Sequence, residues 1–296
     1  MEYRNIYKKF QLVNYPKSID FTSRTLIDDK YFNNIMQSGF FGDYSLLAKN
    51  MNENGFCLLE IKDSNWLNLL DTIKFKLEKT IDKEKLKSGN FSLKRWQDAW
   101  DKENIYEIRE LANHPEILSF LKKIFGREFF PFQTLNFPNG SAQHVHSDAV
   151  HFNTLPKGFM CGVWIAMEDV HQDAGPLFYY PKSHKLPFID GKTLDISHED
   201  IVNSKYPQKL FEPYWIQIIK EENLQKEIFL AKKGQVLIWH SNIFHGGSLI
   251  KNKKLTRWSQ VTHYFGEGCI YTSPLFITKD SPLDSPSLRK VRKILV

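Results

Sequence analysis

From about residue 128 onward the chain is written in short aromatic and β-branched runs, each cut off by Gly, Pro or Asn: REFFPFQTLNF, GFMCGVWIAMEDV, PLFYYP, QVLIWH and TRWSQVTHYF. Runs of roughly four to eight such residues between turn signals suit strands and are too short for helices, so the C-terminal part must build a β-sheet structure. Before that point the spacing is helical. SNWLNLLDTIKFKLEKTI keeps a 3.6-residue period, and DYSLLAKNMNENGFCLLEI runs from a helical pattern through Asn-Gly into a short apolar strand. ENIYEIRELANHPEILSFLKKIFG predicts two amphipathic helices broken near His114 and Pro115 and closed by Gly126. The fold class is therefore mainly β with flanking helices.

With 296 residues, 42% of them hydrophobic, the chain can bury a large core within one domain. Residues 45–296 are read as that domain and residues 1–44, which lack a clean period, as an N-terminal extension packed on it. The mixed stretch 186–234 interrupts the strands and reads as an insertion that carries specificity. A charge of +6 comes from scattered lysines and the short run KNKK at 251–254. No dense basic arm is present, so a nucleic-acid partner is not expected; the lysines read first as a solvated surface, with a basic rim that attracts an anionic small molecule as the alternative. Cys57, Cys161 and Cys269 lie far apart without a CxxC pair, against a disulfide framework or zinc ribbon. MEYRNIYKKFQLVNY lacks the apolar core of a signal peptide and no run of about eighteen apolar residues occurs, so the expectation is a cytoplasmic protein with no membrane partner.

The stretch QHVHSDAVHF (143–152) concentrates three histidines and one aspartate. If it is a strand, His146 and Asp148 point to one side and can offer an imidazole and a carboxylate to one ion. A further ligand is available in WHSNIFHGGS, where His245 precedes two glycines that let backbone approach closely. Two imidazoles and one carboxylate suit Fe(II) with open positions, whereas zinc favours a tetrahedral set and often a third imidazole. A polar strand with no metal has the same spacing. On TRWSQVTHYF, alternation puts Arg257, Ser259, Val261 and His263 on one face, and an Arg-x-Ser pair can grip a carboxylate. A surface salt bridge is the plainer role for Arg257.

Five segments in order, QTLNFPNGSAQHVHSD, GVWIAMEDV, GPLFYYPKSHK, GQVLIWHSNIFHGGS and TRWSQVTHYF, resemble the phytanoyl-CoA dioxygenase family of Fe(II)- and 2-oxoglutarate-dependent oxygenases over roughly residues 45–275. The resemblance implies a double-stranded β-helix, the cupin-like jelly roll. It implies His146, Asp148 and His245 as iron ligands and Arg257 as the anchor of the distal 2-oxoglutarate carboxylate. Ser259 would assist Arg257, and Gln133 would contact 2-oxoglutarate or substrate. Iron, 2-oxoglutarate and O2 would then serve to hydroxylate an unactivated C–H bond of a small metabolite, with release of succinate and CO2. Desaturation, cyclisation or epimerisation at the same site, or a non-catalytic cupin-like metal- or carbohydrate-binding protein, are the alternatives. Two details qualify the match. The family's Pro-Gly-Ser-His turn is PKSH here, with Lys182 in place of glycine, and Asp148 occupies the position that halogenating relatives leave without a side-chain ligand, which favours hydroxylation.

The remaining histidines are expected outside the ligand set. His144 shares parity with His146 and suits a contact to substrate or to a ligand, and His151 has the opposite parity. His240 and His263 suit the core or the pocket wall, His114 a helix boundary, and His171, His184 and His198 loops. Trp164, Phe188, Tyr206, Tyr214 and Trp215 are candidates to wall the substrate cavity, with core packing as the plainer role.

Overall fold

Alternation along the strands decides the architecture. In β6 (Met160–Ala166), Cys161, Val163 and Ile165 join one buried cluster while Trp164 and Ala166 join another. In β9 (Val236–His240), Val236 and Ile238 belong to the first cluster, Leu237 and Trp239 to the second. A sheet apolar on both faces must be covered on both faces. The computed structural model describes residues 10–12, 23–81, 95–282 and 287–296.

β6 and β9 lie in a six-stranded antiparallel sheet of order β2-β9-β6-β11-β4-β3, with β2 at Phe56–Leu59, β3 at Trp96–Gln97, β4 at Phe129–Phe137 and β11 at Ser259–Gly266. Helices cover one face. The helix α1 (Trp66–Lys79) buries Trp66, Leu70, Ile73 and Leu77 as one stripe, each side chain contributing about 1.5–3 kcal/mol relative to an exposed position. α2 (Glu107–Ala112) and α3 (Pro115–Phe125) add Ile108, Leu111, Ile117, Phe120, Leu121 and Ile124 to the same cluster. His114 is the residue before α3, at the break the sequence predicts, and Gly126 ends that helix at φ +81°.

The opposite face looks onto a smaller sheet of order β10-β7-β8, made from β7 (Leu177–Tyr180), β8 (Glu227–Phe229) and β10 (Phe244–Gly247). Leu177, Tyr179 and Phe229 of this sheet pack with Leu135, Trp164, Leu237 and Val261 of the large one. β5 (Asn153–Leu155) and β12 (Ile270–Thr272) form a separate antiparallel pair. Two antiparallel sheets face to face, backed by helices, are the jelly roll that the resemblance implied. The expected strands at REFFPFQTLNF, GFMCGVWIAMEDV, PLFYYP, QVLIWH and TRWSQVTHYF are all present.

One expectation is corrected. QHVHSDAVHF is not a strand: it contributes a single antiparallel bridge at His146, and Asp148–Val150 is a 3-10 turn whose start is capped by the Ser147 side chain accepting from the Ala149 N–H. Ser, with its short hydroxyl, competes for nearby backbone donors and favours such a turn over continued extension. Of the stretch 1–44, residues 1–9 and 13–22 lie outside the described residues, while Ile27, Phe32 and Phe41 join the main core cluster. The 186–234 segment folds into α4 (His198–Asn203), a 3-10 turn at Pro207–Leu210, α5 (Glu212–Glu221) and β8.

Candidate metal centre

His146 and His245 sit directly opposite each other: each backbone N–H donates to the other's carbonyl at 2.9 Å. Such a pair sends both side chains to the same side, and the ring centroids are 4.3 Å apart. This close approach requires the glycines after His245. A Cβ on Gly246 would fall 2.7 Å from the Gln143 carbonyl oxygen, and one on Gly247 2.5 Å from Ser141 Oγ.

Hydrogen bonds fix which ring nitrogen faces inward. His146 Nδ1 donates to the His144 carbonyl at 2.9 Å and His245 Nδ1 to the Ile243 carbonyl at 3.1 Å. A carbonyl can only accept, so both rings carry their proton on Nδ1 and turn the Nε2 lone pair to the cavity, the arrangement found in imidazoles that bind metals. The turn after Ser147 brings the Asp148 carboxylate to meet them, with Oδ1 at 3.7 Å from His146 Nε2 and Oδ2 at 3.8 Å from His245 Nε2. The three potential donor atoms lie within 4.8 Å of one another.

Electrostatics keeps the set ready for a cation. Burial, followed by the charge of His245, pushes His146 down to about 3, so its imidazole is neutral across the physiological range. Burial pushes Asp148 upward, but the imidazoles of His245, His263 and His146 outweigh it and hold the carboxyl well below the usual carboxylate range. Trp239 Nε1 also donates to Asp148 Oδ2 at 2.9 Å. Trp239 is opposite Gly162 on β6, where an added Cβ would lie 2.2 Å from the indole; the missing side chain is what gives the ring room to lie across β6. His263 Nε2 lies 3.5 Å from Asp148 Oδ2, and its Nδ1 meets Gln133 Oε1 at 3.0 Å.

The triad lines a chamber of about 210 Å³ between the sheets, whose wall also includes Gln133, Trp164, Trp239, Arg257, Val261 and His263. Arg257 is 2% exposed, and one arm donates to the Gly175 carbonyl at 2.9 Å. Burial lowers its pKa to about 10, so it remains a cation. Its Nε, together with Trp164 Nε1 and Ser259 Oγ, is buried without a hydrogen-bond partner among the described residues. Buried donors left in this state cost free energy unless a ligand accepts from them. A carboxylate offers only acceptors and suits the two N–H donors whose residues line the chamber. The donor sets present thus fit a divalent metal beside a carboxylate ligand.

The six predicted site residues separate as follows. His146, Asp148, His245, Arg257 and Gln133 line the chamber, while Ser259 is fully buried on the same strand face without reaching the lining. His144 is turned outward, with Nδ1 2.9 Å from Glu212 Oε2. His151, read as pointing away, lies in the chamber wall because the 3-10 turn breaks strand parity. His263 is also in the wall, whereas His240 faces the helix side with Nε2 3.4 Å from Asp28 Oδ2. Of the aromatic candidates, Trp164 lines the chamber and Tyr206 a cavity outside it. Trp215 is fully buried in a separate core cluster with Tyr214 against it, and Phe188 packs on His240. Trp239, Gln143 and Gln208 escaped the sequence reading. Only the Gly162–Trp239 register could have exposed the first, and the glutamines carry no local signal.

A family model described as phytanoyl-CoA dioxygenase matches residues 61–258. Phytanoyl-CoA dioxygenase domain-containing protein 1 from Danio rerio is 31% identical over 103 residues, 34% of this chain; the matched stretch spans only 31% of that relative. Among solved structures, the non-heme alpha-ketoglutarate-dependent epimerase SnoN from nogalamycin biosynthesis aligns with a TM-score of 0.56 at 18% identity, covering 84% of this chain and 93% of its own. EctD from S. alaskensis, solved with 2-oxoglutarate and 5-hydroxyectoine, aligns with a TM-score of 0.54 at 15% identity, covering 82% and 84%. At these identities the likeness to both structures is one of fold.

Proposed function

Because this chain belongs to the phytanoyl-CoA dioxygenase family, whose members use Fe(II) and 2-oxoglutarate, we propose that it is a dioxygenase that hydroxylates a C–H bond of a small molecule. Residues 45–296 form the catalytic domain and residues 1–44 an extension of it. The observation that carries the reading is the pairing of two features in one chamber: two imidazoles whose Nε2 lone pairs converge on the Asp148 carboxylate, and a buried guanidinium with an unpartnered Nε.

His146, Asp148 and His245 would hold the iron, and Arg257 the distal carboxylate of 2-oxoglutarate. When bound with O2, this pair supplies the oxidising power to convert C–H to C–OH, with release of succinate and CO2. The protein supplies position and dryness. Trp239 and His263 hold the Asp148 carboxylate at one orientation. Trp164, Leu135 and Val261 present apolar surface to the chamber, so water competes poorly for the charges inside. Asp148 would supply a carboxylate to the iron where a halide would otherwise bind, which supports oxygen transfer to carbon.

The test is product analysis. Purified protein with Fe(II), 2-oxoglutarate and O2 should release succinate, faster when a substrate is present. Mass spectrometry of that substrate should show the gain of one oxygen atom. Loss of two hydrogens, or inversion at a carbon with no mass change, would assign desaturation, cyclisation or epimerisation in place of hydroxylation. Absence of iron-dependent succinate release would favour a non-catalytic jelly roll.

A further inference from the structure

Outside the chamber lies a second cavity of about 750 Å³. The two share Arg95, Phe137, Ser141, Gln143, His151 and Gln208, so they adjoin across these residues. Ordinary ligand pockets run to roughly 300–1,000 Å³; the inner chamber, at about 210 Å³, falls short of that before any co-substrate enters, whereas the outer one lies within it. A substrate body therefore belongs in the outer cavity.

Between the two stands a polar collar. His151 Nε2 is 2.8 Å from Gln208 Oε1, the Gln143 amide nitrogen reaches the same oxygen at 3.5 Å, and that nitrogen is 3.2 Å from His146 Nε2. The collar joins the 186–234 insertion, through Gln208, to the segment that carries the triad.

The outer wall has a distinct chemistry. Tyr206 and Phe276 are 56% and 54% exposed, and Phe137, Pro207 and Leu275 continue this apolar surface. Lys205 and Lys209 bracket the Tyr206 ring, their Nζ atoms 5.4 and 5.5 Å from its centroid, and Arg95 adds a third cation. Glu212 is the single acidic residue of this wall, and His144 Nδ1 already meets it at 2.9 Å. Among the described residues no carboxylate forms an ion pair with Arg95, Lys205 or Lys209. Three cations without an ion pair among the described residues, beside exposed rings, make a site for an anion carried on an apolar body.

We propose that the substrate is an amphipathic anion, an aromatic or apolar body bearing a carboxylate, sulfate or phosphate, seated in the outer cavity with its charge among Arg95, Lys205 and Lys209. Its reacting carbon passes the Gln143, His151 and Gln208 collar toward the triad. The direction of insertion rests on the oxygenase reading; the anion seat does not.

The experiment measures equilibrium binding of the full-length protein to anilinonaphthalene sulfonate, a ring body with an anionic group, and to phenylnaphthylamine, its neutral counterpart. The sulfonate should bind one-to-one and more tightly, and added salt should weaken it alone. Lys205→Ala/Lys209→Ala should weaken the sulfonate by about tenfold and leave the neutral probe unchanged, whereas Lys253→Ala/Lys254→Ala, outside the lining of the cavity, should change neither. Equal affinity for the two probes, or no loss in the Lys205→Ala/Lys209→Ala protein, overturns the anion seat. Formation of the iron and 2-oxoglutarate complex, followed by its visible absorption in the same protein, reads the inner chamber separately. Failure of the anion seat with that absorption intact leaves the oxygenase reading standing, and loss of the absorption with probe selectivity intact does the reverse.

Discussion

At the residue scale, two side chains do for a ligand what it cannot do for itself. Asp148 has two oxygens and free rotation about its terminal bond, and Trp239 and His263 remove that freedom. Outer partners of metal ligands commonly set affinity by factors of about 10–100, so Trp239→Phe, which keeps an aromatic side chain of smaller size and deletes the N–H, should lower iron affinity within that range. Isothermal titration under anaerobic conditions would measure it; unchanged affinity would mean that the Trp239 hydrogen bond contributes nothing to the site. The triad itself was legible as residues. The HxD spacing is shared by a polar strand with no metal, and the five ordered segments that resemble the family are what single out His146, Asp148 and His245. Trp239 was not legible, because its role depends on lying opposite Gly162, and cross-strand register is a long-range property.

At the scale of elements, strands and helices were readable from their periods and the turns were not. Continued alternation through QHVHSDAVHF put His146 and Asp148 on one side for the wrong reason. They converge because Ser147 caps a 3-10 turn that swings Asp148 back toward a cross-strand histidine pair. The same turn carries His151 into the wall, which strict parity forbids. The PKSH departure also acquires a physical meaning. Lys182 has φ +70°, a left-handed conformation in which a Cβ is unfavourable, and it starts the 3-10 turn Ser183–Lys185. Lys182→Gly should therefore stabilise the protein by about 0.5–1 kcal/mol, seen as a higher denaturant midpoint at constant slope. A lower midpoint would mean that the lysine side chain contributes more than its backbone conformation costs.

At the scale of the whole molecule, the helix-covered face of the large sheet bears on stability and its other face on the site. His184 and His240 lie on the covered side with ring centroids 5.5 Å apart, next to Asp28. Burial, then the charge of His240, pushes His184 from the ordinary 6.5 down to about 3. The folded state therefore keeps His184 neutral where the unfolded chain would bind a proton. Linkage makes the His184 contribution to stability constant above about pH 6.5 and progressively less favourable as pH falls from there toward about 3. His146 contributes in the same direction. Urea unfolding between pH 7 and pH 5 should show this decline, and His184→Gln should flatten it; the same slope in the variant would remove His184 from the cause. What the sequence could not carry at this scale is the pairing of an inner and an outer cavity, since Gln208 and Tyr206 come from an insertion whose packing against the triad segment leaves no periodic trace.

The central claim is that one chamber binds a metal at His146, Asp148 and His245 and a keto acid at Arg257. Anaerobic titration with Fe(II) and then 2-oxoglutarate tests it most directly, through the weak visible charge-transfer band of a keto acid chelated to the metal. The band should appear in the parent protein, vanish in His245→Ala and require much higher 2-oxoglutarate in Arg257→Ala. Iron binding without a band at saturating 2-oxoglutarate, or a band indifferent to both substitutions, would contradict it.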